Sequence, residues 1–167
     1  MSFLTNPYRY AVASYSLLWE QTDGGEQQVL HGASAIAAGI AFFTAQVMID
    51  EVPKKVTCSL AKSASPVGIA TLKLIASDNT PKTTFGTIDV STLTTSYVEH
   101  SFTNDSATSS VANADILAWF YLESYGFTYE MAATATAAYT LQKYSTDAIN
   151  WSAYGAGQYP STIKIYG

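Results

Sequence analysis

The chain has little charge. Asp, Glu, Lys and Arg together make up 13% of its 167 residues, which is about half the usual fraction for a globular protein. Serine, threonine, alanine and tyrosine take their place, and the net charge is −5. A surface of this kind offers little electrostatic repulsion and favours packing against other copies of the chain or against glycans.

Basic residues are also too scattered to form a phosphate-binding face. The chain has eight Lys and Arg residues, and only Lys54 and Lys55 are adjacent. Because neutralising several phosphates needs a concentrated basic surface, the sequence argues against a nucleic-acid partner.

Cysteine is nearly absent, and no catalytic motif replaces it. Cys58 is the single cysteine, so no intrachain disulfide forms. Its phase with Val56 and Leu60 predicts a small buried hydrophobe, not a nucleophile. A glycosidase needs two carboxylates across one cleft, and the glutamates are dispersed along the chain. We therefore expect a protein that is not an enzyme, with a small glycan-active enzyme as the weakest alternative.

The sequence predicts neither a secretion leader nor a membrane span. The opening "MSFLTNPYRYAVASYSLLWEQ" places Pro7, Arg9 and several tyrosines where a signal peptide needs an apolar core. The most apolar stretch, Ala33–Ile49, contains Gly39 and is shorter than the roughly 20 residues of a typical span. The sequence predicts a protein that has no signal peptide, is made in soluble form and does not insert into a membrane.

What the chain does have is a series of short strand patterns separated by polar turns. "KVTCSLAKS" and "GIATLKLIAS" each alternate in hydrophobicity, and "DILAWFYLESY" is apolar on both faces, which predicts a central strand. Residues 33–46 stay ambiguous, because their alanines favour helix and their glycines favour extended chain. The spacing predicts an all-β protein, an antiparallel β-sandwich of jelly-roll type formed by residues 14–167.

Residues 1–13 are predicted to form an extended N-terminal arm, because Asn6-Pro7 disfavours helix and the flanking residues are too apolar for a solvated tail. Docking on the arm's own domain and docking on another subunit, by addition of a strand to its edge, remain alternatives. The residues expected to drive assembly are Phe3, Leu4, Tyr8, Arg9 and Tyr10.

Two motifs between Lys54 and Leu122 carry a resemblance to a known group. The first is Ser65-Pro66-Val67-Gly68, between two strand patterns. The second comprises Ile88, Ser91, Leu93, Thr95, Ser96, Tyr97 and Phe102. This layout resembles the jelly-roll domains of phage and archaeal-virus structural proteins and related carbohydrate-binding-like modules. The resemblance implies a hairpin turn at Ser65–Gly68, core positions for Ile88 and Leu93, and a virion context.

The charge-poor end of the chain holds a candidate glycan site. Sugar recognition uses aromatic rings for stacking and polar groups for the hydroxyls, and the Gly-rich loop "YGAGQYP" would present both. The stacking candidates are Trp151, Tyr154 and Tyr159, and the hydrogen-bonding candidates are Asp147, Asn150 and Gln158. Alternatively, Trp151 and Tyr154 close the core. Residues 145–167 are predicted to form a β-hairpin at a domain edge.

No cofactor is expected. Two Asx pairs, Asp78-Asn79 and Asn104-Asp105, are weak candidates for calcium, but such short clusters are more often plain turns.

The sequence thus predicts a non-enzymatic virion structural protein, a capsid-associated, decoration or tail/fibre component. It would lie in a virion or an extracellular assembly, form a symmetric homo-oligomer, trimeric or part of a larger lattice, and contact other virion proteins. The alternative is a carbohydrate-binding adhesin or receptor-binding domain that recognises cell-surface glycans through Trp151, Tyr154 and Tyr159.

Overall fold

The structure is a computed structural model of the chain. The structure describes residues 14–21, 26–29, 37–42, 48–62, 65–121, 127–132, 140–145, 147–153, 159–160 and 163–167. The predicted arm, residues 1–13, lies outside this described part.

Thirteen strands and one 3-10 helix, Val90–Thr92, are present in the described residues. In chain order the strands are β1 (Leu17–Gln21), β2 (Glu26–Val29), β3 (Ala37–Phe42), β4 (Lys55–Lys62), β5 (Ile69–Ile75), β6 (Pro81–Asp89), β7 (Val98–Thr103), β8 (Ile116–Tyr121), β9 (Phe127–Ala132), β10 (Thr140–Ser145), β11 (Ser152–Ala153), β12 (Tyr159–Pro160) and β13 (Ile163–Tyr166). No helix in these ranges is long and apolar enough to cross a membrane.

The strands form two antiparallel sheets that pack face to face, so the predicted β-sandwich is confirmed. The first sheet has the order β1-β13-β4-β9-β12, with β2 on β9 and β7 on β4. The second has the order β11-β10-β3-β8-β5-β6. The ambiguous segment 33–46 contributes β3, which pairs with β8 and β10.

The order of connection is that of a jelly roll. Between β2 and β9 the chain crosses repeatedly from one sheet to the other, and only β5 and β6 are consecutive neighbours in one sheet. The eight strands lie in the orders β2-β9-β4-β7 and β3-β8-β5-β6. Two interlocked Greek keys of four strands each define a double-sheet jelly roll.

The main core lies between the sheets, where alternate side chains of the strands meet. In β4, Val56 and Leu60 are fully buried and Cys58 is 5% exposed, as its phase predicted. Burial raises the pKa of the Cys58 thiol, so this cysteine is inert at neutral pH. Phe102 of the first sheet packs edge-on against Trp119 of the second, with 5.0 Å between ring centroids.

Strand β8 is central and is buried on both faces, as its sequence predicted. Leu117 and Trp119 belong to the main core. Ile116 and Ala118 point the other way and form a second cluster with Ile75 on the outer face of the second sheet. These apolar side chains on the outer face of the second sheet are therefore shielded from water by residues outside the main core, Phe120 and Trp151.

Two local predictions are corrected by the topology. Ser65–Gly68 does not close a hairpin, because β4 and β5 belong to different sheets. The turn chemistry still applies, since Gly68 has a φ of 99° that suits glycine. Its carbonyl accepts the Val90 N–H at 3.1 Å, which ties this crossover to the 3-10 helix.

The closing stretch is also not a single edge hairpin. It contributes β11 to the end of the second sheet, and β12 and β13 to the first. β13 lies between β1 and β4, with Ile163 and Ile165 buried. The alternation of apolar and polar residues in "TIKIY" is typical of a strand but carries no information about its neighbours.

Candidate functional site

The loop after β10 contains three of the predicted glycan-binding residues, and Asp147 organises it. One carboxylate oxygen of Asp147, Oδ1, accepts the backbone N–H groups of Asn150 at 2.7 Å and Ile149 at 2.9 Å. The other, Oδ2, accepts the side-chain amide of Asn150 at 2.6 Å. These hydrogen bonds, led by the Asn150 N–H, hold the pKa of Asp147 well below its usual range. The carboxylate is therefore used to shape its own loop.

Trp151 fastens this loop to the second sheet. Its indole Nε1 donates to Asn79 Oδ1 at 2.8 Å, and Asn79 Nδ2 donates to the Ile149 carbonyl at 3.0 Å. The ring lies edge-on to Phe120, with 6.0 Å between centroids, and covers the cluster of Ile75, Ile116 and Ala118. We call Asn79, Phe120, Asp147, Ile149, Asn150 and Trp151 the tryptophan lid.

Part of the tryptophan lid is exposed to solvent. Trp151 is half-buried, and Asn150 is exposed, as is Ile149 at 62%. The ammonium of Lys73 lies 5.2 Å from the centroid of the Phe120 ring. Of the other predicted glycan-binding residues, Tyr154 and Gln158 lie outside the described residues. The backbone of Tyr159 pairs with Ala132.

The first calcium candidate forms a turn. Asp78 Oδ1 accepts the Thr80 N–H at 2.9 Å, and this bond lowers the pKa of Asp78. Asn79 has a φ of 71°, a left-handed conformation that asparagine tolerates in turns, and both ends of its amide belong to the tryptophan lid.

The second calcium candidate, Asn104-Asp105, links parts of the fold. Asn104 Oδ1 accepts the Ser106 N–H at 3.1 Å, and its amide donates to the Thr84 carbonyl at 2.9 Å. Asp105 Oδ1 accepts the Tyr15 hydroxyl at 2.6 Å. In the described part of the chain, no three His, Cys, Asp or Glu side chains come together in a way that could hold a metal.

Lys82 and Asp115 form a buried ion pair that the sequence did not indicate. Asp115 is 2% exposed, and its Oδ2 lies 2.6 Å from Lys82 Nζ and 2.7 Å from the Ala112 nitrogen, whose N–H it accepts. The Ser109 hydroxyl donates to the Lys82 carbonyl at 3.3 Å. Residues 104–115 therefore contact β6, and Asn104 and Ser109 satisfy two of its carbonyls, those of Thr84 and Lys82. No local motif marks this pair, because its members are 33 positions apart.

A second group fixes the point where residues 1–13 join the domain. Ser16 and Gly167 exchange both backbone hydrogen bonds at 2.9 Å. The Lys55 ammonium lies 5.4 Å from the Tyr15 ring centroid and 5.2 Å from that of Tyr166. The hydrogen bond to Asp105 raises the pKa of the Tyr15 hydroxyl. We call Tyr15, Lys55, Asp105 and Tyr166 the entry cluster.

Exposed aliphatic side chains gather at the opposite end of the sandwich. Val67 and Ile69, around the β4–β5 crossover, are 58% and 55% exposed. Val98, at the start of β7, is 44% exposed. This end is braced by Lys62, whose Nζ donates to the Ser91 carbonyl at 2.6 Å.

The chain has no recognisable relatives in the comparisons with known proteins. No protein-family model matches it, and no curated protein or solved structure gives a significant match. Its function has to be argued from its own geometry.

Proposed function

We propose that the chain is a non-enzymatic structural protein of a virion, a capsid-associated, decoration or tail/fibre component that assembles with copies of itself. The observation that carries this proposal is the jelly-roll connection of the two sheets, an architecture used by viral capsid domains. A rigid sandwich of this kind serves as a building block whose loops and edges make the contacts.

Surface chemistry supports the same proposal. The charged fraction of 13% leaves few groups that must be desolvated or paired when copies associate. Val67, Ile69 and Val98 offer apolar contact area at one end of the sandwich. The polar side chains of the tryptophan lid hydrogen-bond one another or cap turns, so they support structure more than chemistry.

Light scattering on the purified chain, with and without residues 1–13, tests the proposal. We expect a defined oligomer that falls to a monomer when the arm is removed, while the far-ultraviolet circular dichroism of the sandwich is unchanged. A monomeric full-length chain would contradict the assembly role.

A second candidate is a carbohydrate-binding domain, since lectin domains share this architecture. The exposed Ile149 and Asn150 beside the half-buried Trp151 favour it. Glycan-array screening of the wild type and of Trp151→Ala tests it. Loss of glycan retention in a variant that still folds and assembles would support a binding site at the lid, and absence of retention by the wild type would dismiss it.

A further inference from the structure

The outer edge of β7 is open in the described part of the structure. β7 pairs with β4 on one side only. The Asn104 N–H donates to the Lys54 carbonyl at 2.7 Å, and bonded and non-bonded pairs alternate along an antiparallel ladder. It follows that Val98, His100 and Phe102 point their backbone groups at β4. Glu99, Ser101 and Thr103 point theirs away from the sheet.

The neighbouring edge in the second sheet is protected. Strand β6 begins with Pro81. The side chains of Asn104 and Ser109 donate hydrogen bonds to the carbonyls of Thr84 and Lys82. Edge strands are usually blunted by devices of this kind. β7 carries neither a proline nor a side-chain cap among the described contacts, and Val98 on it is 44% exposed. Such a strand is a template for pairing with another chain.

We infer that the outer edge of β7 accepts residues 8–12 of the arm of a second copy of this chain as an added antiparallel strand. This inference rests on the proposed assembly function and names the surface on which the arm docks.

Pattern and charge of the arm match this edge. "YRYAV" alternates Tyr8, Tyr10 and Val12 with Arg9 and Ala11, and Arg9 is the sole charged residue in residues 1–13. Pairing Tyr8–Val12 with Phe102–Val98 ends the added ladder before Pro7, which lacks an N–H and would otherwise face the outward backbone of Thr103. It places Val12 opposite Val98 and Arg9 opposite Ser101. Arg9 is then diagonal to Glu99, a separation that long side chains span.

The carboxylate of Glu99 is accessible to the Arg9 guanidinium. Its side chain is 56% exposed, and its carboxylate lies 3.9 Å from Lys164 Nζ, a distance at the limit of an ion pair. Because the arm brings one positive charge to the edge, the contact adds charge complementarity to main-chain pairing.

Strand direction favours the arm of another copy over the chain's own arm. Tyr15 contacts Asp105, two residues beyond the end of β7, so the chain enters its domain beside the Thr103 end of that strand. Its own arm laid along β7 would run parallel to it. Every pairing between two of the thirteen strands is antiparallel, and antiparallel pairing is the more stable per residue.

Replacing Ser101 with proline tests the inference. Ser101→Pro removes an N–H that points outward and leaves the bonds to β4 in place, whereas the matched control Ser101→Ala keeps that N–H. We expect Ser101→Pro to weaken self-association, measured by sedimentation and light scattering, about tenfold or more, and Ser101→Ala to leave it unchanged. Unchanged association of a folded Ser101→Pro variant overturns the inference.

Charge exchange provides a second test that does not depend on proline being tolerated. Arg9→Glu and Glu99→Arg should each weaken association roughly two- to fivefold, and the double variant should recover the loss. Glu51→Arg, at an exposed carboxylate outside β7, is the matched control. Absence of recovery in the double variant overturns the pairing of arm and β7.

The two proposals fail in different ways. If deletion of residues 1–13 dissociates the oligomer while Ser101→Pro and the charge variants do not, the arm is a latch and its acceptor is not β7. If the full-length chain is a monomer, the assembly function itself is wrong. If Ser101→Pro and the deletion lower the melting temperature of a monomer equally, the arm docks on its own domain and the inference is overturned.

Discussion

Single buried polar residues link separate parts of this sandwich, and Asp115 is one of them. Its carboxylate accepts hydrogen bonds from the Lys82 ammonium and the Ala112 N–H. The side chain of Lys82 is 20% exposed and that of Asp115 is 3% exposed. Asp115→Ala leaves a mostly buried ammonium unpaired. We expect the free energy of unfolding to fall by roughly 3 kcal/mol, measured by urea denaturation.

Glu51→Ala, at an exposed carboxylate, is the control for Asp115→Ala and should change the free energy of unfolding by less than about 0.5 kcal/mol. A similar small loss in Asp115→Ala would mean that the ion pair contributes nothing net, as happens when desolvation cancels attraction.

Asp147 predicts a pH dependence. Hydrogen bonds within its loop place the folded-state pKa below that of the unfolded chain. The stabilisation is therefore present above the unfolded pKa, about 3.9, and is lost as pH falls toward the folded pKa. We expect the melting temperature of the wild type to fall more steeply below about pH 4 than that of Asp147→Ala, measured by circular dichroism.

The difference between the two curves isolates Asp147, because Asp78 and Asp89 also have lowered pKa values from turn hydrogen bonds and remain in both proteins. If the melting temperatures of the two proteins depended on pH in the same way, the loop hydrogen bonds would not favour the ionised form of Asp147 over the protonated form.

At the scale of elements, the tryptophan lid joins the β10–β11 loop to the β5–β6 turn. Trp151→Phe keeps an aromatic cover over Ile75, Ile116 and Ala118 but loses the bond to Asn79, so it should cost about 1 kcal/mol of unfolding free energy. Trp151→Ala uncovers the cluster as well and should cost about 2 kcal/mol or more. Equal losses in the two variants, measured by urea denaturation, would assign the whole effect to the hydrogen bond.

Elements with a clear two-residue period were predictable from the sequence. β4 and β5 lie where the alternation of apolar residues placed them, and β8 lies in the stretch that is apolar on both faces. β9, "FTYEMA", was not predicted, although Phe127, Tyr129 and Met131 alternate with Thr128 and Glu130. β6 starts at Pro81, since an edge position tolerates the missing N–H.

The candidate sites were less predictable than the strands. The sequence grouped Asp147, Asn150 and Trp151 as candidates for one site, but it did not indicate the hydrogen bond from Trp151 to Asn79, which lies 72 positions away. The same limit hid Lys82 and Asp115. Strand alternation shows which side chains face the core, whereas contacts between loops depend on which strands become neighbours. That is a property of the whole fold.

At the scale of the whole molecule, low charge determines how assembly should respond to solution conditions. Copies with a net charge of −5 repel one another weakly, and raising salt from about 0.05 to 0.5 M screens both this repulsion and the Arg9–Glu99 attraction. These effects oppose each other, so the dissociation constant should change by less than roughly threefold. Sulfate at the same ionic strength should tighten assembly, because it strengthens apolar burial. A steep loss of assembly in sodium chloride would show that ion pairs, and not main-chain and apolar contacts, hold the copies together.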